Sequence, residues 1–423
     1  MNFFFYLIYN TLLIVALPLA WVIAYFNDKL GGSLAGQKSI RAALLKFKSK
    51  VKLNPKPVVW LHAASAGEFE QIKPVLNRIR EFDVYIFQTF TSATIYYKAS
   101  FDKRFDGVSF LPWDIYPRVN RFIKLLAPDI LINTRHDIWP NLQLALHRNS
   151  VHNILINANL YHDSTRLKPV IRQINRGVFQ YIDHIYTGSD SLKSLLQQLY
   201  SGPLDVVGDS RFDQVNERAK TNDSQLISAE IIADRRVIVY GSIGGSDLDV
   251  VSGAIIKSLS NNDYLHIIVP HETQERDLIP WEIALYRHKI KTIRKTEIEQ
   301  YANENVIVWN SVGQLADLYK YARLAFIGAG FSTGVHSVTE ASIYHIPCAH
   351  GPKYDILAEA IDLVNLDLST VVLSDEDLTE FLSQTDADIF TTSEKIKYFM
   401  STRIGATDRI INQEFPLIKE LHN

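Results

Sequence analysis

Glu68 stands where an apolar, β-branched run, "KPVVWL", hands over to "FEQIKPVLNRIREF", a stretch of helical periodicity. A carboxylate at the carboxyl end of a strand is placed to take a proton from a substrate hydroxyl, because ligands of parallel α/β sheets gather beyond those ends. Ser65 and Glu68 also fit the capping-box pattern S-x-x-E, in which hydroxyl and carboxylate satisfy N–H groups of the first helical turn. On pattern alone, base and cap both stay open. Further along, Arg135, His136 and Asp137 follow the strand-like "DILIN". Charges at such a position read either as an ion-paired network or as an anion contact.

Three segments of the second half could hold a phosphate: "YGSIGGSD" (240–247), "VPHETQER" (269–276) and "IGAGFSTGVHSVTEAS" (327–342). Glycines 241, 244, 245, 328, 330 and 334 are expected to let backbone N–H groups approach an anion, with a helix N-terminus adding partial positive charge. "GAGFSTG" is a near miss of the dinucleotide fingerprint, spaced G-x-G-x-x-x-G, and the next strand, "IPCAHG", ends without the acidic residue that would hold a ribose. The Walker Gly-Lys-Ser/Thr spacing is absent. His336 and Glu340 are four residues apart, but no H-E-x-x-H occurs, and the lone Cys348 excludes C-x-x-C pairs and an internal disulfide. No metal site is expected. Histidines 62, 136, 271, 336 and 350 all fall at or near strand ends, where a binding site would use them.

The elements that position these residues alternate along the chain. Strands are predicted at 58–63, 84–90, 107–112, 129–133, 153–158, 184–188 and 204–208, separated by amphipathic segments, the signature of βαβ units. A polar stretch, "DSRFDQVNERAKTNDSQ" (209–225), marks the expected domain boundary. Alternation then restarts with strands at 236–242, 265–271, 289–295, 305–310, 324–330, 346–351 and 369–374. Two consecutive doubly wound α/β halves are implied. A length of 423 residues agrees with two domains, since one core rarely serves so long a chain. With 47% hydrophobic and 21% charged residues and a net charge of −2, the chain lacks the basic excess of a nucleic-acid binder.

Residues 3–26, "FFFYLIYNTLLIVALPLAWVIAYF", carry no charge and approach the length of about 20 residues that a bilayer-crossing helix needs. Lysines and arginines follow this run and none precedes it. The bias predicts a retained anchor or monotopic insertion, with the body on the cytoplasmic side. Lys46 to Lys56 read either as a lipid- or phosphate-facing patch or as a solvated juxtamembrane face.

Taken in order, "WLHAASAGEFEQIKPV", "DIWPNL", "INANLYHDSTR", "VVGDSRFDQV", "VYGS", "IIVPHE" and "GAGFSTGVHSVTEASIYHIPCAHGP" resemble the Kdo transferases, the 3-deoxy-D-manno-octulosonic acid transferases of lipopolysaccharide synthesis. The resemblance covers nearly the whole chain. It implies a GT-B glycosyltransferase, with two Rossmann-like domains facing a cleft and an N-terminal membrane-anchor helix (1–27). The acceptor-binding domain is expected at 28–215. The CMP-Kdo-binding domain is expected at 216–423, its last helix able to cross back. CMP-Kdo as donor, a lipid A precursor of the lipid IVA type as acceptor, an inner-membrane location, inversion and no metal cofactor follow from the family.

By the same resemblance Glu68 is the catalytic base, and Gly241, Ser242, His271, Gly328, Gly330, Gly334, His336 and Glu340 match donor-binding segments. Glu340 is the glutamate that would hold the nucleotide ribose. Acceptor contacts are expected from Ser65, Gly67, Arg135 and His136. The sequence departs from the family pattern at "VPHETQER" and "GVHSVTEAS", which leaves Arg276 and Ser337 outside the match. Read this way, Ser65 caps the helix while the Glu68 carboxylate turns away from the Ser65 backbone. A GT-B transferase using another nucleotide sugar, such as a UDP-sugar, and a non-catalytic membrane-tethered nucleotide-binding protein are the competing readings.

Overall fold

All fourteen predicted apolar runs form strands in the computed structural model, which describes residues 3–25, 28–162, 164–221, 224–259 and 264–420. The chain divides into two units, Met1–Gln214 with Arg403–Asn423, and Val215–Thr402. In the first, β1 (Val58–Ala63), β2 (Tyr85–Phe90), β3 (Gly107–Phe110), β4 (Ile130–Thr134), β5 (His152–Ala158), β6 (His184–Thr187) and β7 (Leu204–Val206) make a parallel sheet. Their order is β3-β2-β1-β4-β5-β6-β7. β1, β2 and β4 are buried along their whole lengths, as sheets covered on both faces require. Alternation along β1 splits the core: Val59 and Leu61 pack with Ile72 and Val75 on one face, while Trp60 packs with Phe87 and Phe122 on the other.

The helix Ala406–Glu420 completes the first of these two layers, adding Ile410, Ile411 and Phe415. Its entry is tied down by Asp213, whose carboxylate accepts from the Gly405 and Thr407 N–H groups at 2.5 and 2.7 Å. That contact accounts for an aspartate within "VVGDSRFDQV". A carboxylate at a helix start satisfies unpaired amides and complements the helix dipole.

The second unit repeats the plan. β8 (Arg236–Ile243), β9 (Tyr264–Pro270), β10 (Thr292–Arg294), β11 (Val306–Val308), β12 (Leu324–Ile327), β13 (Cys348–His350) and β14 (Ser369–Val371) form a parallel sheet in the order β10-β11-β9-β8-β12-β13-β14. Ile238, Tyr240, Phe326 and Trp281 lie in its core.

Each sheet has one position where successive connections leave in opposite directions. In the first unit it falls between β1 and β4, and in the second between β8 and β12. Such points open a crevice at the carboxyl ends of the strands and are where α/β sheets bind ligands.

The expected membrane anchor finds no support. A helix does run Phe3–Tyr25, but among the described residues no helix is long and apolar enough to cross a membrane. Phe26 and Asn27, which close the anchor expected at 1–27, lie outside the described residues, as do Met1 and Asn2. Polar side chains within the helix reach the body instead. The Tyr9 hydroxyl donates to Asp114 Oδ2 at 2.9 Å and Asn10 Nδ2 to Asn141 Oδ1 at 3.1 Å.

Candidate functional site

Glu68 lies in the first turn of the helix Ala66–Ile79, directly after β1, at the switch point of the first sheet. The capping box is complete: Ser65 Oγ accepts from the Glu68 N–H at 3.3 Å, and Glu68 Oε2 accepts from the N–H groups of Ala64 and Ser65 at 2.6 and 3.1 Å. This corrects the expectation that the carboxylate turns away from Ser65, because two amides left over at the strand-to-helix turn draw it back. Both bonds end on Oε2, which leaves Oε1 to take a proton. Glu68 is buried, and burial raises its pKa above the ordinary glutamate range, aided by the charge of Asp137 and opposed by the Ala64 N–H and by His62. A buried carboxylate with a raised pKa is the stronger base.

Beside it, His62 Nε2 meets Asp137 Oδ2 at 2.7 Å and His62 Nδ1 meets Thr89 Oγ1 at 2.8 Å. Thr91 Oγ1 donates to the same Asp137 oxygen at 3.1 Å. Burial opposes ionisation of Asp137, yet the His62 and Thr91 contacts outweigh it and hold the carboxyl below its usual range. Of the two readings for the 135–137 cluster, Asp137 takes the ion-paired one. Its register beside β1 is what sequence pattern could not supply.

Arg135 differs from its neighbours. Its φ of 66° is left-handed, uncommon for a residue with a long side chain, and its buried Nε has no hydrogen-bond partner among the described residues. Backbone held in a sparsely populated region persists where surrounding structure imposes it, often at ligand sites. His136 is kept below the usual imidazole range by partial burial and by the Arg135 and Arg166 guanidiniums, and its carbonyl accepts from Arg166 Nη2 at 2.8 Å. Gly67 is exposed, and a Cβ there would meet nothing within 4 Å, so packing does not require glycine at this position.

In the second unit Gly241 and Ser242 end β8 and Gly328 follows β12, flanking that sheet's switch point. Gly328 and Gly330 have a packing role that the expectation did not include. A Cβ on Gly328 would stand 2.4 Å from Ser242 O, and one on Gly330 2.5 Å from Gly351 N, so both let neighbouring loops pack backbone to backbone. The amides of Gly328, Gly334 and His336 go to the carbonyls of Gly241, Ala329 and Gly328. These amides therefore serve the loop's own framework rather than an anion. Gly334, at φ 119°, has a conformation that side chains resist.

The helix after the third loop is a single turn, Thr339–Ser342, with Glu340 in it, too short to carry much dipole. The side chains that remain for a ligand include two histidines. The rings of His271 and His336 stack at 4.6 Å with planes 8° apart, and burial together with His271 lowers the His336 pKa. Among the described residues no three His, Cys, Asp or Glu side chains gather as a metal site.

Asp247 is the residue of "YGSIGGSD" whose role sequence pattern does not reveal. It is fully buried, and its Oδ2 accepts from the Gly244 N–H at 2.8 Å and the Ala329 N–H at 3.1 Å, joining the loops after β8 and β12. Asp247→Ala leaves the buried Ala329 amide unpaired, at about 1–3 kcal/mol, and frees the half-buried Gly244 amide at a smaller cost. Calorimetry is expected to show the second unit destabilised by about 1–3 kcal/mol.

Two parallel-sheet α/β units, each with candidate site residues at its switch point, resemble the GT-B glycosyltransferase fold. Solved structures share the architecture. UDP-GlcNAc 2-epimerase from Neisseria meningitidis aligns with a TM-score of 0.61 at 12% identity, covering 84% of this chain and 98% of that one. MurG from Acinetobacter baumannii aligns with a TM-score of 0.55 at 12% identity, covering 86% and 100%. Residues 39–214 match the model of the family described as 3-deoxy-D-manno-octulosonic-acid transferase (kdotransferase). The transferase of that name from Chlamydia trachomatis serovar A is 25% identical over 325 residues, 72% of this chain and 73% of the relative. That from Haemophilus influenzae is 24% identical over 363 residues, 81% of each. Over residues 39–214 the chain is thus similar to the Kdo transferases, a family of glycosyltransferases, and relatives of that description align with most of its length at about 25% identity.

Proposed function

We propose that the protein transfers Kdo from CMP-Kdo to a lipid A precursor of the lipid IVA type, with inversion and with Glu68 as general base. The observation that carries the reading is a buried, raised-pKa carboxylate at the switch point of a chain similar to the Kdo transferases, with one oxygen not engaged by the cap. The second unit carries the donor, and the first carries the acceptor and its base. As the acceptor hydroxyl attacks the anomeric carbon, its proton passes to Glu68 Oε1. The new C–O bond forms opposite the bond to the CMP phosphate, which breaks and leaves with its electron pair on CMP. The leaving group is a monophosphate, so no diphosphate needs a bridging cation. His271, His336 and Ser242 are the groups we assign to its charge, and Glu340 to the ribose. Ser65, Gly67, Arg135 and His136 face the acceptor, the guanidinium suiting an anionic group.

The helix Phe3–Tyr25 is proposed to lie on the cytoplasmic face of the inner membrane. Tyr9 and Asn10 hold it to the body while Leu12 and Val15 stand 63% and 69% exposed, an arrangement suited to a helix resting in one leaflet. Salt-washed membranes from cells making the protein, given labelled CMP-Kdo and a tetraacylated disaccharide, are expected to yield labelled lipid with EDTA present. Labelling from a UDP-sugar alone would sink the donor assignment. Activity released entirely into the salt wash would sink the membrane assignment.

A further inference from the structure

Between the helices Ile40–Leu53 and Tyr116–Leu126 of the first unit lies a cavity of about 350 Å³. Its floor is apolar, including Leu44, Phe122 and Leu125, and its remaining walls carry Lys38, Arg41, Arg118 and Arg121. No acidic residue lines it, and neither helix contains one. Among the described residues none of these four cations has an ion pair; Arg118 rests over the Trp113 ring, 5.9 Å from its centroid. The contrast with nearby Lys50, which pairs with Asp106 at 2.5 Å, is one of environment. Four unneutralised charges around one concavity raise the local potential for an anion, and an apolar floor beneath them adds a second requirement.

Gln37, Pro112 and Trp113 also line a neighbouring cavity of about 290 Å³, walled by Leu13 and Ala16 of the N-terminal helix together with Val119 and Leu142. The pair of cavities thus offers a cationic rim continuous with a mostly apolar hollow beside the helix Phe3–Tyr25, whose one acidic lining residue, Asp114, is taken up by the Tyr9 hydroxyl and the Asn141 and Leu142 amides. A free phosphate satisfies only the rim, and a zwitterionic lipid brings its own cation to a site that has four.

We propose that this paired cavity holds an anionic phospholipid, its phosphate among Arg41, Arg118 and Arg121 and an acyl chain passing Trp113 toward Leu13. The site does not depend on the identity of the transferred sugar. It would seat the first unit at a bilayer by a bound lipid, in addition to the exposed apolar face of the helix.

Full-length protein in nanodiscs is titrated with phosphatidylglycerol or phosphatidylcholine brominated in one chain, and tryptophan quenching is read. Quenching is expected at about tenfold lower phosphatidylglycerol than phosphatidylcholine, and Trp113→Phe is expected to remove most of it. R41Q/R118Q/R121Q should cost about tenfold in apparent phosphatidylglycerol affinity, whereas K46Q/K48Q/K52Q, an equal charge loss on the exposed face, should cost no more than about threefold. Equal quenching by both lipids overturns the proposal, as does loss of quenching on adding millimolar glycerol phosphate, which would mark a soluble-phosphate site. A triple-arginine variant that keeps its phosphatidylglycerol affinity but shows a raised KM for the lipid acceptor also overturns it, assigning the cavity to the acceptor. Unchanged circular dichroism melting of both triple variants ensures that these outcomes report binding.

Discussion

Glu68→Gln is expected to lower kcat for Kdo transfer by about 10²- to 10⁴-fold, the usual contribution of a positioned general base. The amide is nearly isosteric, and its carbonyl oxygen can still accept from Ala64 and Ser65, so the cap survives. Stability should change by no more than about 1 kcal/mol, the scale of a lost cap, and CMP affinity should stay as it is. The pH profile gives an independent check. Burial and Asp137 raise the Glu68 pKa, so the acid limb of kcat/KM should lie above the ordinary glutamate range in the native enzyme. Asp137→Asn removes one raising charge and should move that limb downward. A Gln variant that transfers at the native rate would leave Glu68 as a cap and nothing more.

The largest expected effect on stability lies at Glu414, on the returning helix Ala406–Glu420. Its side chain is 2% exposed and meets His152 Nε2 at 2.6 Å, His184 Nδ1 at 3.2 Å and the Tyr186 hydroxyl at 2.5 Å, which ties the chain end to β5 and β6. Burial opposes every charge in this cluster. Hydrogen bonds from the two histidines and Tyr186 nevertheless bring Glu414 down to about 2, and the carboxylates of Asp183 and Glu414 push His152 up to about 9. Histidine with a raised folded pKa contributes its full stabilisation below the unfolded value near 6.5 and loses it as pH rises through about 9. Glutamate with a depressed folded pKa contributes above its unfolded value near 4.3 and loses it as pH falls through about 2.

The clasp is therefore strongest between about pH 4.5 and 6.5. Glu414→Ala is expected to cost about 3–5 kcal/mol at pH 6, as removal of one partner of a buried ion pair does. It should also flatten the decline in Tm that is expected of the native protein from pH 6.5 to 9. A variant that keeps the native slope would show that the histidines do not titrate against Glu414.

Elements set by a few consecutive residues are legible in the amino-acid sequence alone. The strand runs read directly because a strand covered on both faces must be apolar throughout, as "VVWLHA" is. Ser65 and Glu68 spell their capping box because its geometry spans one turn. The family resemblance rests on ordered motifs that likewise lie along the chain.

Contacts that join distant segments depend on which strands become neighbours. His62 meets Asp137 across 75 residues only because β4 lies beside β1. Asp247 reaches Ala329 across 82 residues only because β12 lies beside β8, and His152 reaches Glu414 across 262 because the last helix returns to the first unit. The glycines of the third loop show the same division. Their type announces a close approach, while the tertiary packing decides the partner: backbone of Ser242 for Gly328, backbone of Gly351 for Gly330, and the Ile356 side chain for Gly334. For Glu68 the sequence offers cap or base as alternatives; folding assigns Oε2 to the cap and leaves Oε1 outside it, because the two unpaired amides at the turn can be satisfied by one oxygen.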